Sequence, residues 1–116
     1  MNSQDAISPN DMENTVYFVT YRNVLRPDRT LDDYRKGLKH VWPILQEWGA
    51  THIEMYQPLY DESGAFYSRY TVSSLDKWNE SLRTHRFDEM LKHLADVIDL
   101  SQSQVTTNVM IETGLD

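Results

Sequence analysis

His52, Glu54 and Tyr56 alternate along a short run of the chain, so in a strand all three side chains project from one face. Histidine and glutamate at that spacing offer two ligands to a metal ion, but two are fewer than a closed site requires, and no metal is expected. Arg69, on a neighbouring run, is placed to pair with Glu54 or Tyr56 across the strands. With an anionic or phenolic ligand nearby, Arg69 would stabilise oxyanion charge while Tyr21 or Tyr56 donates a hydrogen bond, and Asn23 has the same side-chain parity as Tyr21. His40 flanks a helical apolar stripe one turn before Pro43, at a pocket mouth or simply in solvent. His85, Glu89, His93 and Asp96 form a histidine–carboxylate ladder, but it lies opposite Phe87, Met90, Leu94 and Ile98 and reads as a solvated face. Trp42, Trp48 and Trp78 fall on or beside apolar stripes, as core or as the wall of a pocket.

These side chains need elements to hold them. Residues 1–14 are polar and aperiodic and read as a flexible N-terminal arm, leaving 15–116 as one domain. Val16 to Tyr21 is rich in β-branched and aromatic residues and predicts a first strand. Thr30, followed by Asp32 and Asp33, predicts a helix start; the stripe Leu31, Tyr34, Leu38, Val41, Leu45, Trp48 carries the helix to Gly49, with a bend expected at Pro43. Residues 51–59 and 65–72 flank Asp61-Glu62-Ser63-Gly64 and predict a hairpin. Ser73 or Ser74 caps a second helical region, whose stripe changes phase between Leu82 and Phe87, so a break is expected near Thr84. Residues 104–112 close the set as a last strand.

The order β-α-β-β-α-β is that of a ferredoxin-like α+β domain: a four-stranded antiparallel sheet with two helices on one face. Splitting the strands by parity gives an apolar set, Val16, Phe18, Ile53, Met55, Phe66, Tyr70, Val105, Val109 and Ile111, which matches the helix stripes. The other set joins Tyr17, Val19, Tyr21 and Asn23 to His52, Glu54, Tyr56, Tyr67, Arg69, Thr106, Asn108 and Met110. So many tyrosines on an uncovered face predict a homodimer through the open sheet.

The first strand with its Arg26-Pro27-Asp28 exit, the Gly49-Ala50 end of the first helix, and Tyr70-Thr71-Val72-Ser73-Ser74-Leu75-Asp76-Lys77-Trp78 running into Arg83-Thr84-His85-Arg86-Phe87 carry a further signal. Over Thr15 to Glu112 the chain resembles the dimeric α+β barrel superfamily, with its closest look to the antibiotic-biosynthesis-monooxygenase-like families. The resemblance implies two protomers packed sheet against sheet, and a choice of chemistries: cofactor-independent oxygenation of aromatic compounds, heme degradation, isomerisation or lactone hydrolysis. Heme degradation is disfavoured, because the position of that branch's heme-ligating histidine falls on Leu91 with His93 two places on. Its strand-three tryptophan falls on Val72, and its first-strand asparagine falls near Tyr21, two residues from Asn23.

Forty per cent of the 116 residues are hydrophobic and a quarter are charged, ordinary values for one folded core. A net charge of −7 argues against nucleic acid, whose affinity comes from clustered Lys and Arg. Apolar runs such as Val109-Met110-Ile111 fall far short of the ~20 residues of a membrane span. With no cysteine there is no thiolate site or disulfide, and no phosphate loop, serine-hydrolase elbow or zinc-protease motif is present. The expectation is a cytoplasmic homodimer binding a small molecule without a cofactor. It is either a cofactor-independent monooxygenase on a small aromatic metabolite, a non-enzymatic binding or assembly domain, or a small isomerase or lactonase.

Overall fold

The computed structural model describes residues 15–115, so the expected N-terminal arm lies outside them. Four strands, β1 (Tyr17–Val24), β2 (Ala50–Tyr56), β3 (Ala65–Val72) and β4 (Gln104–Val109), form one antiparallel sheet in the order β2-β3-β1-β4. Helix α1 (Leu31–Glu47) connects β1 to β2, while α2 (Leu75–Ser81), α3 (His85–Ala95) and a 3₁₀ turn (Leu100–Gln102) connect β3 to β4. This is the ferredoxin-like arrangement, with the second helix divided in two at Thr84, whose hydroxyl donates to Ser81 O at 2.7 Å.

The ends of the helices follow local chemistry. Thr30 and Asp33 form a reciprocal capping box at the start of α1, and Ser74 Oγ accepts from the Lys77 amide at the start of α2. Gly49 ends the α1 segment at φ +108°, where a side chain would be strained. After α3 the chain docks along the end of β1: the Arg26 amide donates to Val97 O, the Asp99 amide to Val24 O, and Arg26 Nε to Ala95 O at 2.6 Å. Pro58 closes β2 early, so that strand stops at Tyr56 rather than Leu59.

The core lies between the helices and one sheet face. Tyr34, Val41 and Leu45 from α1, Trp78 from α2 and Met90 and Leu94 from α3 pack on Val19, Phe66, Tyr70 and Val72. The stripes expected in both helical regions are therefore the buried ones, and His85, Glu89, His93 and Asp96 are exposed.

The parity expected for β1 is reversed. Tyr17 pairs with Val72, Val19 with Tyr70, Tyr21 with Ser68 and Asn23 with Phe66, so Tyr17, Val19, Tyr21 and Asn23 face the helices and Phe18 faces away. β1 is a central strand with large side chains on both faces, and its composition offers no contrast between them. The assignments in β2 and β3 stand: Ile53, Met55, Phe66 and Tyr70 face the helices, while His52, Glu54, Tyr56, Tyr67 and Arg69 face away. Val105 and Val109 share the helix-facing side but remain 58% and 45% exposed, because β4 is an edge strand beyond the helices' reach.

Candidate functional site

Between the helices and the sheet lies a cavity of about 260 Å³. Its sheet side is Tyr21 and Asn23 from β1 with Tyr70 from β3; Tyr34 and Leu45 of α1 form one wall. Trp78 of α2, Leu82 just past its end, and Phe87, Met90, Leu91 and Leu94 of α3 form the other, and the docked segment after α3 adds Ile98, Leu100 and Ser103. The break between α2 and α3 lets Trp78 and Phe87 both point inward, which one straight helix would not permit.

The polar side of the cavity is a buried network. Tyr34 Oη lies 2.8 Å from Ser68 Oγ, and the Asn23 amide donates to the same oxygen at 3.0 Å. Asn23 and Ser68 are almost wholly buried. Burial pushes the phenols of Tyr21 and Tyr34 up from their ordinary pKa and that of Tyr70 well above it. All three stay neutral and able to donate near neutral pH. Around them the rings pack edge to face, Tyr21 on Tyr70 at 5.8 Å and Tyr34 on Phe66 at 4.8 Å.

Two lining groups lack a partner. Ser103 Oγ is buried with no hydrogen bond, and so is Trp78 Nε1, although the indole is near enough to the Tyr21 hydroxyl to favour its anion. Solvent reaches neither atom, so both sit behind the cavity surface rather than on it. Among the described lining residues there is no Asp, Glu, His, Lys or Arg. The cavity can hold an apolar, planar ligand and donate to its oxygens, but it offers no ordinary general base.

The remaining expected residues gather on the opposite face of the sheet. Arg69 donates through Nε to Glu54 Oε1 at 2.9 Å and through Nη2 to the same oxygen. Its guanidinium stands 4.2 Å from the Phe18 ring centroid and 5.7 Å from that of Tyr56. The Arg69 hydrogen bonds hold the Glu54 carboxyl below its ordinary pKa. His52 Nε2 is 4.0 Å from Glu54, and no group of three metal-type ligands occurs among the described residues. The sheet thus separates the expected set: Tyr21 and Asn23 belong to the cavity, and His52, Glu54, Tyr56 and Arg69 to the far side. His40 belongs to neither, being exposed against His93. Sequence reasoning missed Ser103 and Tyr34 as polar lining; Trp78 it read as core or wall.

No family model matches the chain, and no curated protein matches it by sequence. Solved structures do. A protein from Bordetella bronchiseptica bearing the name antibiotic biosynthesis monooxygenase superposes with a TM-score of 0.69 at 12% identity, covering 84% of this chain and 98% of its own. SnoaB, a cofactor-independent oxygenase from Streptomyces nogalater, gives 0.63 at 12% identity over 88% and 98%. A conserved protein from Methanosarcina mazei gives 0.60 at 14% identity over 84% and 94%. The chain thus has the fold of the antibiotic-biosynthesis-monooxygenase-like proteins, as its sequence resemblance implied; a shared fold leaves the activity open. No helix among the described residues is long and apolar enough to cross a membrane.

Proposed function

We propose that the chain binds a small aromatic metabolite in the cavity between its helices and sheet, and oxidises it with molecular oxygen and no cofactor. The observation that carries this reading is the cavity itself, walled mostly by aromatic and aliphatic side chains, with the Tyr21 phenol and the Asn23 amide on its sheet side. The likeness in fold to an oxygenase of this kind supports it. At about 260 Å³ the cavity sits just below the ~300–1,000 Å³ of drug-sized sites, which suits a ligand of two or three fused rings.

The chemistry asks little of the protein. An electron-rich hydroxylated aromatic ionises by its own acidity, and its anion passes an electron to oxygen. Radical recombination makes a carbon hydroperoxide, and loss of water leaves a carbonyl, so a methylene and O₂ become a ketone and water. All the electrons come from the substrate. Neutral donors around the ring oxygens, Tyr21 among them, stabilise the anion and hold it in place. Isomerase and lactonase readings need an acid or base that the described lining lacks. The same lack favours, as the second reading, a binding module that releases its ligand unchanged.

The far sheet face is read as the seam of a homodimer. Phe18, Tyr56, Tyr67 and Arg69 lie on it, no helix among the described residues covers them, and Tyr56 is 47% exposed. A second copy packed there would give Arg69 and Glu54 the desolvated setting in which paired charges fix register.

Purified chain incubated with a hydroxylated polycyclic aromatic under oxygen tests the function, with tryptophan fluorescence reporting binding and oxygen uptake reporting turnover. Quenching with oxygen consumed in step with ketone is expected. Quenching without uptake leaves the binding module, and neither signal overturns both readings.

A further inference from the structure

Two of the four histidines meet across a helix seam. The His40 ring on α1 and the His93 ring on α3 have centroids 4.2 Å apart and planes inclined by 43°. Both residues are exposed. Their meeting follows from how the helices pack. At one end of the seam Arg86 Nη2 reaches Glu47 Oε2 at 2.7 Å, and at the other His40 meets His93, so the helices run antiparallel. One turn before His40, Gly37 admits α3 so closely that a Cβ there would stand 3.0 Å from the His93 carbonyl oxygen and 3.0 Å from Leu94 Cδ2. The backbone is pinned at the turn that carries both rings.

As surface rings, the pair adds little to the core, and it becomes repulsive when both carry a proton. Neutral imidazoles are good ligands for borderline divalent ions, and two of them on separate helices already in contact need only side-chain rotation to aim a nitrogen each at one ion. We propose that His40 and His93 form a two-histidine site for a divalent transition metal ion of the Zn²⁺, Ni²⁺ or Cu²⁺ class, with water completing the coordination.

The overall charge of −7 favours the cation. With no third protein ligand grouped there among the described residues, the site is an exchangeable one and not a closed structural centre. His52 and Glu54 are the competing pair, but Glu54 is already held by Arg69. An ion at His40 and His93 ties α1 to α3, and both helices wall the cavity, through Tyr34 and Leu45 on one side and Phe87 and Leu94 on the other. The site is thus a clip on the helices that cover the cavity, separate from any chemistry inside it.

The test is calorimetric titration of the tag-free full chain with ZnCl₂, NiCl₂ and CuCl₂, followed in parallel by histidine ring resonances. One ion per chain is expected, bound most tightly for Cu²⁺. His40→Ala and His93→Ala should each weaken binding by about tenfold or more, the least that losing even an outer-shell partner costs. His52→Ala and His85→Ala should leave it unchanged. Affinity should fall on acidification, since the ligands must be neutral, and the ion should raise the melting temperature of the wild type but not of His40→Ala. The melting temperatures of the metal-free variants establish that they fold, and His40→Gln and His93→Gln serve where an alanine variant does not. Absence of binding, or binding lost with His52 and kept without His40 and His93, overturns the proposal.

Discussion

The Tyr34 hydroxyl and Ser68 Oγ lie 2.8 Å apart in the core, and Ser68 is the junction through which α1 and the first and third strands share one polar contact, because Asn23 donates to the same oxygen. Ser68→Ala removes that shared atom and leaves two buried groups short of a partner, so it should cost about 1–3 kcal/mol. Tyr34→Phe leaves Asn23 still bonded to Ser68 and should cost less, about 1 kcal/mol. Urea unfolding of the two variants measures both; equal losses would mean that Ser68 is not the junction.

The buried phenols make the fold sensitive to alkali. Burial raises the pKa of Tyr21, Tyr34 and Tyr70, so each contributes stability that is complete below the ordinary tyrosine value of about 10 and is lost as pH rises toward the higher folded value. In an ultraviolet titration of the seven tyrosines, these three should ionise late and together with unfolding. Seven phenols titrating as one smooth group in a folded protein would contradict this.

Ser103→Ala separates folding from binding. Its hydroxyl is buried and unpaired, so its removal should leave stability unchanged or slightly higher. The hydroxyl sits behind the cavity surface, so affinity for a ligand in the cavity should be unchanged. Thermal melts and fluorescence titration with the same hydroxylated aromatic read the two effects; a loss of affinity would show that the hydroxyl does reach the ligand.

What the residues disclose before folding divides by the range of the physics. Thr30 with Asp33, Ser74 and Gly49 mark helix ends through contacts within a few residues, and the phase change before Phe87 marks the break at Thr84 by the same local arithmetic. The face of β1 is a different matter. Tyr17-Phe18-Val19-Thr20-Tyr21 carries aromatic or β-branched residues at every position, and only pairing with β3, more than forty residues away, decides that Tyr21 and Asn23 enter the cavity while Phe18 meets Arg69. Ser103 carries no local signal, because its burial depends on the docking of residues 97–99 against the end of β1. The far-face group was legible because it rests on β2 and β3, where Ile53 and Met55 contrast clearly with His52 and Glu54.

Arg69 is the residue on which the proposed dimer turns. Its hydrogen bonds keep Glu54 ionised below the ordinary carboxylate range, so their contribution is present above the unfolded pKa and is lost as pH falls through the lowered folded value. In an isolated chain, with both side chains 34% exposed, such a pair is worth little. Desolvated between two sheets it matters much more, since removing one partner strands the other charge. Sedimentation equilibrium should therefore find a dimer at neutral pH that weakens on acidification into the carboxylate range. Arg69→Ala should dissociate it, and a Glu54 carboxyl resonance should then titrate at higher pH than in the wild type. Tyr56→Phe keeps the ring beside the guanidinium and should weaken association only modestly. A wild-type monomer at micromolar concentration, or an Arg69→Ala dimer as tight as the wild type, would show that this face is not the seam.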